Sequence, residues 1–300
     1  MTDQMMFTPE QIRKAVAALK DIRPAYTAIL DFYEQVFVAQ ESAKSRIKIE
    51  PIRISKETVA LKMQEKFPLI SVSDFVIDTK TSGELFKELC GIAENGNKTM
   101  AISARAISDG IGTDPEKLFS AMLGGDDDCF DKIADEFETD KAVLVFITFN
   151  SIMPSLNLCA EQLSTYLGEN NDWMKGYCPI CGNPPAISMF QAKSPPSEKE
   201  EFAGLAEGER LLFCGFCWHC WPIRRIYCPF CENKDTETLH YFYSEAEEEY
   251  RVDGCDNCKK YMKTVDARKT GRILYPPLEQ VATLHLDIKA GEAGFEGGTQ

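Results

Sequence analysis

The sequence predicts a multidomain α plus small-β fold, an all-helical N-terminal domain followed by two small cysteine-bearing modules. Three observations predict it. Apolar residues recur at helical spacing through roughly the first 170 positions. After Trp173 prolines, glycines, cysteines and short β-prone runs replace the long periodic segments. Four CxxC pairs then fall between Cys178 and Cys258. The boundaries drawn from this change of texture are 1–172 for the helical domain, 173–222 for the first module, and 223–300 for the second module with a C-terminal helical tail.

In the helical part, Thr8 and Gln11 match a capping box, with Pro9 at the first helical position and Ile12, Val16 and Leu19 following on one face. After Pro24 a second stripe runs through Tyr26, Ile29, Leu30, Tyr33, Val36 and Phe37. Further helices are expected at 56–66, at 83–93 with Ser82 as cap, and at 99–108. Asp114 and Pro115 read as the cap and first position of a helix ending near Gly124 and Gly125. Three more are expected at 126–137, 140–153 and 154–167, with Pro154 dividing the last two and Gly168 as a stop. The apolar run 142–153 contains Thr148, Asn150 and Ser151 and is too short to cross about 30 Å of hydrocarbon, so it is expected as a buried helix rather than a membrane insertion. Strands are expected at 186–190, 210–213, 238–243, 250–253 and 261–265. The stretch 194–209 reads as an acidic solvated loop, and Glu245, Glu247, Glu248 and Glu249 as a hairpin tip.

Composition narrows the function. Charged residues at 27% and hydrophobic residues at 44% are ordinary for a folded chain. A formal charge of -14 repels a phosphate backbone and argues against nucleic acid as a partner. The first residues, MTDQMMFTPEQIRK, lack a basic n-region and an apolar h-region, which points to a cytoplasmic protein.

Of twelve cysteines, eight lie in CxxC pairs: Cys178 with Cys181, Cys214 with Cys217, Cys228 with Cys231, and Cys255 with Cys258. One tight turn presents both sulfurs of such a pair to one ion, and two turns complete a tetrahedral four-thiolate site. Four pairs therefore imply two metal sites, and soft thiolates suit zinc, a single rubredoxin-type iron or an iron-sulfur cluster alike, with two ions of iron or zinc expected. In CPICG, Gly182 is free to adopt positive φ. Sequential pairing puts two candidate strands inside each interval, as a ribbon hairpin needs; crossed pairing would interleave the modules. Units this small need a metal to fold, and structural zinc contributes roughly 10 to 16 kcal/mol. Cys220 overlaps the second pair as a further CxxC and reads as a spare ligand, a reactive thiol or a small hydrophobe, and the neighbouring His219 is a candidate substitute ligand. A thiol-based redox or sulfur-handling enzyme using Cys220 or a labile CxxC is the alternative reading. Only three histidines are present, and no nucleophile-elbow, metalloprotease, phosphate-loop or dinucleotide motif occurs, so no catalytic residue is assigned. Trp218, Trp221, Ile223, Ile226 and Tyr227 with Arg224 and Arg225 suit either a partner anchor or packing between modules.

The knuckle region resembles the FdhE family, the accessory proteins of formate dehydrogenase maturation. The resemblance rests on CPICGNPP at 178–185, CGFC with Trp221 and Arg225 before CPFC, CDNCKKYMK at 255–263, and LHLDIKAGEAGF at 284–295, notably Asp287 and Gly294. It covers about the last 125 residues, and the chain departs from the family in following Trp221 with Pro222 and in adding Cys220. It implies a helical domain followed by two rubredoxin-like modules whose eight paired cysteines carry metal. It also implies a cytoplasmic, non-enzymatic chaperone-like factor that binds the catalytic subunit of formate dehydrogenase and supports formation of active enzyme before assembly or export.

Overall fold

The computed structural model describes residues 7–110, 115–168, 172–192, 208–244 and 247–298. Among these the helices are α1 (Pro9–Ile22), α2 (Thr27–Lys44), α3 (Lys56–Gln64), α4 (Thr79–Ala93), α5 (Lys98–Gly110), α6 (Glu116–Gly124), α7 (Asp127–Glu136), α8 (Lys141–Ser164), α9 (Pro276–Ala282) and α10 (Leu284–Glu292). The strands are β1 (Pro185–Ala192), β2 (Gly208–Cys214), β3 (Cys220–Ile223), β4 (Leu239–Phe242), β5 (Tyr250–Cys255), β6 (Lys260–Asp266) and β7 (Glu296–Gly297). The chain divides into two compact units, Met1–Ser55 with Ile70–Tyr166, and Lys56–Leu69 with Leu167–Gln300. Segment 56–69, with α3, thus groups with the cysteine-bearing unit rather than with the helices that flank it in sequence.

In the helical unit the capping box forms: Gln11 N–H donates to Thr8 Oγ1 at 3.2 Å and Thr8 N–H to Gln11 Oε1 at 2.8 Å. Ile12, Val16 and Leu19 are buried behind it. The fourth helix starts earlier than the Ser82 cap implies. Asp78 is its cap, accepting from the Thr81 N–H at 3.0 Å and also from the Lys48 N–H at 2.9 Å, and Ser82 lies buried inside the helix. Two backbone donors favour the carboxylate over a lone hydroxyl. For α6, Asp114 lies outside the described residues, Pro115 occupies the cap rather than the first helical position, and Gly125 ends the helix at φ +67°.

The break expected at Pro154 is absent, and α8 runs unbroken through it for 24 residues. Proline lacks the N–H that would donate to the carbonyl four residues back, here Asn150. Gln40 from α2 supplies the missing donor, its Nε2 standing 2.9 Å from the Asn150 carbonyl and 3.0 Å from Asn150 Oδ1. Thr148 and Ser151 donate to Leu144 and Ile147 carbonyls of the same helix, which removes the cost of burying hydroxyls. By length and apolarity alone this helix could cross a bilayer, but 61% of its most apolar window is buried inside the structure. It is the core helix of this unit, packed against α2, α4, α5, α6 and α7.

The second unit is built on one sheet with strand order β3-β2-β1-β6-β5-β4, and β7 adds to β6. β1–β2–β3 and β4–β5–β6 are each antiparallel, and the two sets join through a parallel pairing of β1 with β6 that sets Ser188 opposite Thr264. Glu209, expected in a loop, already belongs to β2, while 194–207 and Glu245 lie outside the described residues. β3, which begins at Cys220, was not expected. One face of the sheet buries Ile187, Met189, Leu211, Phe213, Val252 and Val265 with Leu286 and Ala290 of α10. On the other face a polar row crosses four strands. Arg210 donates to Ser188 Oγ at 3.3 Å and to Asp253 Oδ2 at 2.9 Å, Ser188 and Thr264 hydroxyls are 2.6 Å apart, and Thr264 donates to Asp253 at 2.5 Å.

The proline in α8 gives a direct test. Gln40→Leu leaves the Asn150 carbonyl without a donor and is expected to cost about 1 to 3 kcal/mol. Pro154→Ala restores an N–H there. In urea unfolding its gain should therefore be larger, by about 1 kcal/mol, in the Gln40→Leu background than in the parent protein; equal gains would refute this account of the helix.

Candidate metal centres

All four knuckles share one backbone device. The residue after the second cysteine is left-handed in each: Gly182 at φ +79°, Trp218 at +57°, Glu232 at +61° and Lys259 at +57°. That conformation turns the chain so the residue's N–H can bond back to the first cysteine's carbonyl, at 2.9 Å for Gly182, 3.0 Å for Glu232 and 2.8 Å for Lys259. Only the first knuckle uses the glycine that sequence reading singled out, and there a Cβ would stand 3.2 Å from Pro68. The other three accept left-handed strain in a non-glycine residue, as over-determined sites do. The first and third knuckles also share the string CPxCxN, in which the Asn183 and Asn233 carbonyls each accept the N–H of Cys178 and Cys228 at 2.9 Å. That repeat was visible in sequence and marks the asparagines as part of the turn.

The fold brings the eight paired cysteines into two groups, Cys178, Cys181, Cys214 and Cys217 in one, and Cys228, Cys231, Cys255 and Cys258 in the other. Within each group all sulfurs lie within 4.8 Å of one another. Neighbouring sulfurs are separated by 3.8 Å for Cys178–Cys217, 3.7 Å for Cys181–Cys217, and 3.6 Å for Cys181–Cys214, Cys228–Cys258 and Cys231–Cys255. A tetrahedron with metal–sulfur bonds of about 2.3 Å has edges of about 3.8 Å. The donor sets thus fit a tetrahedrally held ion, and each cluster can bind one.

Electrostatics agree with that fit. Burial pushes the Cys178 and Cys217 thiols far up, while hydrogen bonds from its sulfur neighbours hold Cys181 low. Without a cation the first group therefore carries protons that a metal must displace. Donors are already aimed at the sulfurs: the Ile180 and Phe216 N–H groups reach Cys178 and Cys214 at 3.4 and 3.3 Å, and the Asn183 amide reaches Cys181 at 3.5 Å. Such contacts delocalise thiolate charge and tune a bound metal.

The two groups differ in access. All four cysteines of the first are buried, whereas Cys231 and Cys258 of the second are partly exposed. For Cys231, burial acts upward but is outweighed by donors from Asn257, the Asn233 backbone and its sulfur neighbours, which bring it to about 7. The first group also has a floor: Tyr177 OH donates to the Lys66 carbonyl at 2.6 Å and the Leu69 N–H to the Pro179 carbonyl at 2.8 Å, tying segment 56–69 to the knuckle.

Cys220 and His219 belong to neither group. Cys220 opens β3 opposite Phe213, and burial pushes its thiol up to about 11. His219 is buried and stacked on Trp221 with ring planes 7° apart, and burial lowers it to about 4. The aromatic and basic cluster around them divides. Trp221, Ile223 and Tyr227 are core, whereas Ile226 is 56% exposed and Arg224 and Arg225 face solvent.

Two closed four-sulfur sets on a shared sheet, in a chain that also carries an all-helical unit, define a ribbon-type metal-binding protein. Comparison with known proteins shows what it is similar to. The model of the FdhE C-terminal domain matches residues 226–299. The FdhE homolog of Aquifex aeolicus is 26% identical over 281 residues, covering 93% of this chain and 89% of that protein. Protein FdhE of Escherichia coli K12 is 26% identical over 182 residues, which cover 60% of this chain and about half, 51%, of that protein. The chain is thus similar to FdhE proteins over most of its length, and its C-terminal part matches the FdhE C-terminal domain. The crystal structure of the FdhE protein from Pseudomonas aeruginosa shares the fold, with a TM-score of 0.65 at 17% identity over 98% of this chain and 96% of that one.

Two outcomes are expected. Chelator-driven metal release, followed with a colorimetric indicator, should show two phases of equal size, the faster one lost in the Cys231→Ser, Cys258→Ser variant; a single phase would contradict the difference in access. Because raised thiols bind protons that metal must displace, affinity of the first group should fall as pH falls, by at least about tenfold per unit, in competition titrations between pH 8 and 5.

Proposed function

We propose that this chain is a non-enzymatic accessory protein for formate dehydrogenase maturation, one that binds the catalytic subunit in the cytoplasm and supports formation of active enzyme before assembly or export. Cys178, Cys181, Cys214 and Cys217 would hold one metal ion and Cys228, Cys231, Cys255 and Cys258 a second, each iron or zinc. The observation that carries this reading is the completeness of both sulfur sets. A catalytic metal site keeps a position open for water or substrate, and four sulfurs at tetrahedral spacing leave none. Similarity to FdhE proteins supplies the enzyme that such a protein would serve.

The alternative, a thiol-based enzyme using Cys220, has the chemistry against it. A reactive thiol is held low by nearby positive charge, and Cys220 is pushed up by burial. One experiment separates the two readings. In a strain lacking this protein, formate dehydrogenase activity should be lost and restored equally by the parent protein and by Cys220→Ala, with the catalytic subunit recovered alongside an affinity-tagged copy. Full activity without the protein would sink the accessory role, and failure of Cys220→Ala alone would favour the thiol enzyme. Iron would show as coloured ferric thiolate after anaerobic purification, and zinc would be silent.

A further inference from the structure

The polar face of the sheet carries a feature that neither metal centre uses. Phe190 of β1, only 2% exposed, is surrounded by four guanidinium groups: Arg251 at 4.5 Å from the ring centroid, Arg268 at 5.3 Å, Arg225 at 5.7 Å and Arg210 at 5.9 Å. Arg251 also lies 4.9 Å from the ring of Tyr241, which stacks on Tyr243 with planes 18° apart. Both tyrosines are more than half exposed, Tyr241 by 61% and Tyr243 by 54%. Burying Phe190 under cations rather than under aliphatic side chains leaves a charged, aromatic outer surface where a core contact would have left none.

The charges do not cancel. Asp253 serves both Arg210 and Arg251 at 2.9 Å, and Asp266 serves Arg268 at 2.6 Å. Arg225 makes no ion pair among the described residues. Four guanidinium groups thus face two carboxylates, in a chain whose overall charge is -14. Local positive excess on an acidic protein selects partners by sign, because the net charge of the rest of the molecule disfavours an acidic ligand elsewhere. Arginine and tyrosine are also the residue types that anchor protein interfaces.

We propose that this face docks an acidic polypeptide segment of a partner protein, with Arg225, Arg268 and Tyr241 as its anchors. Carboxylates would take the free edges of the two exposed guanidinium groups, and the Tyr241–Tyr243 stack would receive the backbone or an apolar side chain between them. The inference goes beyond the accessory role and does not depend on it, since binding is read directly.

The test is fluorescence anisotropy of the metal-loaded full chain with a fluorescein-labelled decaglutamate peptide at low ionic strength. Saturable, salt-sensitive binding is expected, weakened at least about tenfold in Arg225→Glu, Arg268→Glu and in Tyr241→Ala. The charge-matched control Lys98→Glu, Lys289→Glu, placed on other exposed helical positions, should change affinity less than about threefold. Metal content and near-ultraviolet circular dichroism confirm that each variant is folded. Absence of saturable binding, an equal loss in the control, or tighter binding of a thymidylate decamer than of the peptide would each overturn the proposal. So would tenfold tighter binding by a chain lacking 193–207, which would assign the face to the protein's own acidic segment.

Discussion

Four sulfurs confined within 4.8 Å are a constraint before they are a site. A buried thiolate is costly to desolvate and a like charge beside it more so, so without a cation Cys178 and Cys217, whose thiols burial pushes up, keep their protons. A divalent or trivalent ion reverses that balance, and its binding energy becomes folding energy for the surrounding turns. The left-handed residues at 182, 218, 232 and 259 make sense in those terms. Three of them are strained, and ligation of the neighbouring sulfurs would over-determine the turn and hold that strain in place.

The two centres are not independent beads. β1 carries the first knuckle at its start and pairs in parallel with β6, which follows the last knuckle. Across that seam runs the row Arg210, Ser188, Thr264 and Asp253, with Arg210 only 2% exposed and also donating to the Arg225 and Tyr227 carbonyls at 3.2 and 3.1 Å. A buried pair of this kind adds little net stability but makes other arrangements expensive, since any shift of β1 on β6 strands a charge. The row therefore fixes the register in which two sulfur groups share one sheet.

How far this was legible in sequence follows from the range of each interaction. Capping and helical periodicity are local, so Thr8, Gln11 and the α1 stripe could be read directly, and so could the knuckles, whose geometry is set within five residues. Pro154 misled because the donor that rescues α8, Gln40, stands 110 positions away. Ser82 misled because Asp78 also receives a second donor, Lys48, from 30 positions upstream. The parallel seam was hidden for the same reason, with Ser188 and Thr264 brought together across 76 positions. Grouping of the cysteines was favoured by spacing alone because each interval must hold its own hairpin, and the observed groups follow that logic.

The same reasoning explains why the C-terminal tail carries a family-like signature although it holds no ligand. Asp287 of α10 accepts from Tyr261 OH at 2.6 Å and from the nearly buried Lys263 at 2.8 Å, so two residues of CDNCKKYMK are tied to LHLD by one carboxylate. Gly294 at φ +83° then reverses the chain, with the Phe295 N–H bonded to the Ala290 carbonyl at 2.9 Å, a helix ending that needs a residue without Cβ strain. Reversal delivers Phe295 onto Gly254, where an added Cβ would stand 2.8 Å from the ring, and sets Glu296 N–H on the Lys259 carbonyl at 2.7 Å. Lys259 is the left-handed residue of the last knuckle. The tail thus closes over the turn that presents Cys255 and Cys258, and the more exposed of the two sulfur groups depends for its shape on residues almost forty positions beyond it.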